Sequence, residues 1–77
     1  MTGDELKRAI VRIDASQAWF ARTIGVQPRS VRSWISERYP VPTVVALLLS
    51  FMLDNGLTKA DLERVRRQID NAASLGR

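Results

Sequence analysis

Apolar residues return along this 77-residue chain at the three-to-four spacing of helices, and turn-forming residues separate five such stretches. In the first, Thr2 and Glu5 have the spacing of a capping box, and Leu6, Ile10 and Ile13 follow on one face. Residues 3–13 are therefore predicted to form an amphipathic helix that Asp14 and Ala15 end. Ser16 is a good N-cap for a second helix over 17–24, with Phe20, Ala21 and Ile24 on one face. Gly25, free to adopt positive φ, stops it. Gln27 then caps a third helix over 28–36, opened by Pro28, whose missing N–H would be unpaired at that position in any case. Val31, Trp34 and Ile35 face inward in this reading, and Arg29, Arg32, Ser33 and Ser36 face outward.

Tyr39-Pro40-Val41-Pro42 must be extended, because each proline biases its predecessor away from helix. The fourth helix, 43–53, is apolar nearly all round. Val44, Leu47, Leu48 and Phe51 make one face and Val45, Leu49 and Met52 another, so the pattern predicts cover on two sides. Asp54-Asn55-Gly56 breaks it. Thr58 with Asp61 caps a fifth helix, 59–73, whose predicted buried face is Leu62, Val65, Ile69 and Ala72. No repeat or linker divides the chain, and residues 1–77 are expected to form one domain.

The chain has neither cysteine nor histidine, so disulfides and thiolate metal sites are excluded and the commonest zinc ligand and general base are missing. The scattered carboxylates Asp14, Glu37 and Asp54 form no catalytic pattern, and no enzyme activity, metal or cofactor is expected. The first residues do not resemble a secretory signal, and Val44 to Leu53 is about half the ~20 residues of a membrane span. A cytoplasmic protein without a membrane partner is expected. Net charge is +4, and its excess is local: residues 16–53 hold Arg22, Arg29, Arg32 and Arg38 against Glu37 alone. A segment of that kind suits a polyanion.

Ser16-Gln17-Ala18, Ala21, Ile24-Gly25-Val26, Val31 and Trp34, followed by Arg38-Tyr39-Pro40-Val41-Pro42, resemble the lambda-repressor and Cro-like helix-turn-helix family. The likeness covers roughly residues 2–53, with the motif itself at about 16–36. It implies an all-α, five-helix DNA-binding domain in which small Ala21 lets two helices cross closely and Gly25 makes the turn. Carried onto this chain, the resemblance implies that Gln17 meets a phosphate at a helix N-terminus. Gln27 contacts phosphate or a base edge. Arg29, Arg32 and Ser33 read the major groove, where the arginine fork matches guanine O6 and N7. Ser30, Arg38 and Thr43 contact the DNA backbone.

The chain also departs from the family pattern. Pro28 stands where a base-reading side chain is common, which shifts specificity to Arg29 and Arg32. Glu37 replaces the usual glycine after the third helix, which leaves the geometry of that turn open and puts an acidic group near the DNA face. Ile10 and Ile35 stand where members often pair an arginine with a glutamate, and they are expected to touch. Trp19, in place of a polar residue, is expected to pack under the fifth helix, the alternative being a partner-binding patch.

The function these features imply is a small dimeric repressor, nucleoid-associated, that binds double-stranded DNA at a palindromic operator. Phe51, Leu57 and Leu62 are the candidate dimer interface. The alternative is a protein-interaction adaptor, or an antitoxin-type partner-binding protein, that keeps the fold with little DNA binding.

Overall fold

The computed structural model describes residues 1–75 and consists of five helices: α1 Gly3–Arg12, α2 Gln17–Ile24, α3 Pro28–Ile35, α4 Thr43–Asp54 and α5 Lys59–Leu75. No strand occurs among the described residues. The first helix starts where its capping box dictates: Thr2 Oγ1 accepts from the Glu5 N–H at 3.1 Å, and Glu5 Oε1 accepts from the Thr2 N–H at 2.8 Å. These bonds hold the Glu5 carboxyl below its ordinary pKa of 4.5, chiefly through the Thr2 backbone N–H. At α2, Ser16 Oγ accepts from the Trp19 N–H at 3.0 Å. Asp61 closes the start of α5 by accepting from the Thr58 N–H at 2.8 Å.

The first four helices end alike. Asp14, Gly25, Glu37 and Gly56 adopt φ of 64°, 82°, 62° and 65°. In each case the next residue donates to the carbonyl five positions back: Ala15 to Ile10, Val26 to Ala21, Arg38 to Ser33 and Leu57 to Met52, at 2.8–3.1 Å. This is the Schellman closure, which turns the chain sharply while satisfying an orphan carbonyl. Glycine adopts that conformation freely, whereas a side chain there costs roughly 1–2 kcal/mol. The turn after α3 thus keeps its left-handed geometry although Glu37 occupies it.

α1 is the hub, approaching α2, α3 and α4, while α2 and α3 also pack on each other. Its buried residues Leu6, Ala9 and Ile10, continued by Ile13, meet Phe20 and Ala21 of α2, Val31 and Trp34 of α3, and Val45, Leu49 and Met52 of α4 in one core. Ile35 packs at the edge of this core. Close approach is most severe at Gly3, where a methyl group would come within 2.7 Å of the Ile35 carbonyl carbon and 2.8 Å of the Trp34 carbonyl oxygen. The amino end of α1 therefore lies directly on the carboxyl end of α3.

Two expectations fail on the far side of the molecule. α4 is covered on one face only: Val44, Leu47 and Phe51 stay 72%, 65% and 60% exposed. In α5, Leu62 alone of its expected buried face is covered, and only in part; Val65, Ile69 and Ala72 are exposed. α5 follows α4 at a bend of 118° and stands off from the core, with an open hollow of about 330 Å³ among Ile24, Leu48, Leu62, Val65 and Ile69, in a molecule of 41 × 25 × 20 Å. What holds α5 lies in its first half. The Lys59 N–H donates to the Ile13 carbonyl at 2.7 Å, the Lys59 ammonium sits 5.3 Å from the centre of the Trp19 ring, and Arg66 Nη1 donates to the Arg22 carbonyl at 3.4 Å. Trp19, half-buried, packs against the core, and the one α5 group placed over its ring is the Lys59 ammonium. Among the described residues no single helix is long and apolar enough to cross a membrane.

Candidate nucleic-acid interface

α2 and α3 are joined by Gly25-Val26-Gln27 alone, and this connection aims α3. Inward, Val31 and Trp34 anchor it; outward, Arg29 and Arg32, one turn apart, are both exposed. Pro28 opens the helix, so one N–H that would need a partner is absent. Gln27 occupies the N-cap position, but its side chain makes no cap hydrogen bond and its amide is exposed. That leaves the amide available to a ligand.

Arg29, Ser30, Ser33, Arg38 and Tyr39 surround an open hollow of about 330 Å³ beside Trp34. Four residues expected from the sequence are thus brought together: Arg29, Ser30, Ser33 and Arg38. Arg38 reaches the hollow because the reversal at Glu37 folds the chain back, with both Arg38 and Tyr39 N–H groups donating to the Ser33 carbonyl at 3.0 and 3.3 Å. Tyr39 is a lining residue to which the sequence assigns no contact, its segment being read as extended chain and as part of the family resemblance. An aromatic hydroxyl next to an arginine was the available signal.

Ser33 is less free than expected. Its hydroxyl donates to the Arg29 carbonyl at 2.9 Å, so its proton is committed to its own helix and only its lone pairs face outward. Gln17, half-buried at the first position of α2, and Thr43, exposed at the first position of α4, stand outside the hollow, as do Gln27 and Arg32. Helix starts such as those of Gln17 and Thr43 present backbone N–H groups and the positive end of a helix dipole.

Ion pairs among the described residues are confined to α1 and α5, where Lys7, Arg12, Arg66 and Arg67 also stand outside them. Among the described residues the ion pairs are Asp4–Arg8 at 3.1 Å on α1, and Lys59–Glu63 at 3.9 Å and Asp61–Arg64 at 3.2 Å on α5. None involves Arg22, Arg29, Arg32 or Arg38. The one acid in this segment, Glu37, turns toward the amino end of α1, where its Oε1 lies 3.5 Å from the Gly3 N–H. A carboxylate there is favoured by the helix dipole and is drawn away from the arginines. Of the candidate dimer residues, Phe51 is exposed, while Leu57 and Leu62 are half-buried against the core. Comparison with protein-family models, with curated proteins and with solved structures finds no match for this chain.

Proposed function

We propose that this chain is a non-enzymatic regulator that binds double-stranded DNA through a lambda-repressor-like helix-turn-helix, with α2 on the backbone and α3 in the major groove. The observation that carries the reading is the exposed, unneutralised arginine flank of α3, braced from behind by Val31 and Trp34. A guanidinium held on a rigid helix can meet guanine O6 and N7 with both arms, which a point charge cannot. Arg29 and Arg32 are the base readers in this proposal. Arg38, Ser30, Tyr39 and the helix starts at Gln17 and Thr43 fix register on phosphate, and Gln27 serves either role.

A single recognition helix spans only a few base pairs, so useful specificity calls for two copies on half-sites one helical turn apart, hence a homodimer on a palindromic operator. Such a protein represses by occupying its site and acts at the nucleoid in the cytoplasm. Mobility shift on mixed-sequence duplex at 50 and 200 mM salt tests the proposal. Each phosphate neutralised costs about 3.5-fold in affinity across that range, so a dimer engaging about six phosphates loses roughly a thousandfold or more. A second reading, a protein-binding adaptor, draws support from the apolar face left open on α4. It predicts no shift at either salt concentration.

A further inference from the structure

The uncovered face of α4 carries both a knob and a hole. Phe51 projects at its carboxyl end. Near its amino end an open, almost wholly apolar hollow of about 350 Å³ lies among Ile24, Val26, Trp34, Pro42, Val44 and Leu48. Val44 and Phe51 are seven residues apart, two helical turns, so they lie on one line about 10 Å apart along the axis. Leu47 and Leu48 are midway between them.

We infer that a second copy of this chain docks here, with the two α4 helices antiparallel about a two-fold axis passing between Leu47 and Leu48. That symmetry sets Phe51 of each copy over the hollow beside Val44 of the other, and it buries both leucine pairs at the centre. A two-fold interface has to be self-complementary, and a knob and its hole at equal distances either side of one point satisfy that condition.

The charge distribution selects this occupant and this orientation. From Tyr39 to Leu53 the chain carries no charged residue, so an identical face meets no repulsion and a charged partner finds nothing to pair with. At its ends α4 is polar in the electrostatic sense, with Asp54 closing the carboxyl end and no acidic residue in the first turn. Antiparallel packing lays Asp54 and the negative end of one dipole beside the positive end of the other, whereas parallel packing opposes like ends.

The dimer part of the proposed function rests on this contact, but the contact itself is measured without DNA. Sedimentation equilibrium of the full chain at micromolar concentration is expected to give twice the 8.7 kDa chain mass. Phe51→Glu is expected to weaken self-association at least thirty-fold, the scale of losing a central aromatic anchor. Its circular dichroism should stay helical, because Phe51 is not part of the core.

The native chain has no cysteine, so single-cysteine variants report geometry cleanly. Leu47→Cys, beside the axis, is expected to form a disulfide dimer under mild oxidation, and Val11→Cys, exposed on α1, is not. A chain that stays monomeric, a Phe51→Glu variant that associates as tightly as the parent, or equal cross-linking at positions 11 and 47 would each overturn the inference. A dimer that fails to shift DNA leaves this contact standing and removes the DNA reading; a monomer that shifts DNA does the reverse.

Discussion

α3 and α4 each press one face into the same core and leave the other bare, yet the two bare faces are chemical opposites. On α3 the bare face holds Arg29 and Arg32, unpaired and held stiffly by Val31 and Trp34. The bare face of α4 holds Val44, Leu47 and Phe51 and is uncharged from end to end until Asp54. Neither face contributes to the fold, so each is free to meet something outside it. A face of unpaired guanidinium groups suits a polyanion; one of exposed aliphatic and aromatic groups suits another apolar surface.

The largest effect is expected where the comparison is broken from inside. Phe20→Ala empties the centre of the core shared by both helices and should cost about 3–5 kcal/mol, read as a fall in Tm of well over 10 °C. Arg32→Ala and Leu47→Gln, on the bare faces, should leave chain stability within about 0.5 kcal/mol. Leu47→Gln should remove only the rise of Tm with protein concentration that self-association produces. Equal losses for inner and outer residues would end the distinction between the faces.

Gly3→Ala is expected to come next, at about 1–3 kcal/mol, because the added methyl would strike the Trp34 and Ile35 carbonyl groups on which α3 is seated. Since those groups set where α3 stands, DNA affinity should fall with stability in this variant. A protein that binds DNA as tightly while melting lower would separate the seating of α3 from its function.

Arg29→Ala and Arg32→Ala sharpen the comparison from the other side. Each should lose about 1–3 kcal/mol of preference for the cognate duplex over random sequence at unchanged Tm. Arg38→Ala and Gln17→Ala should weaken both duplexes evenly. Parallel loss on both duplexes for Arg29 or Arg32 would reassign it to phosphate.

Smaller effects belong to the cap that joins α3 to α1. Glu37→Gly should melt about 1 kcal/mol above Glu37→Ala, since both lose the carboxylate near Gly3 and only glycine relieves the positive φ. Smallest is the capping box. Because the folded Glu5 carboxyl lies below its ordinary 4.5, its contribution is complete above that value and disappears as the pH falls through the lower folded-state value. Glu5→Gln should flatten this acid limb of a stability-against-pH curve, lying slightly below the parent at neutral pH and converging on it in acid.

Legibility in the sequence followed the range of the forces involved. The capping box at Thr2, the Ser16 cap and the stop at Gly25 are settled within a few residues, and both helices concerned begin and end within a residue of expectation. The inner faces of α1 to α3 were readable as well, because three-to-four periodicity and one buried side leave little choice. Arg29 and Arg32 followed as outward residues by elimination. The hollow at Tyr39 was hidden, because it depends on how a reversal at Glu37 folds the next residues back on Ser33. So was the turning of Glu37 toward Gly3, a contact across 34 residues of chain.

The chain by itself determined that five helices form, where the first four stop, and which side of α1 to α3 is buried, since these are matters of local hydrogen bonding and periodicity. Only the tertiary structure decided that α5 follows α4 at a bend of 118° and that Val65, Ile69 and half of α4 stay uncovered. An apolar stripe states that a face seeks cover. Whether its own chain or another molecule supplies that cover depends on the angle between helices, which packing sets and no run of residues encodes on its own.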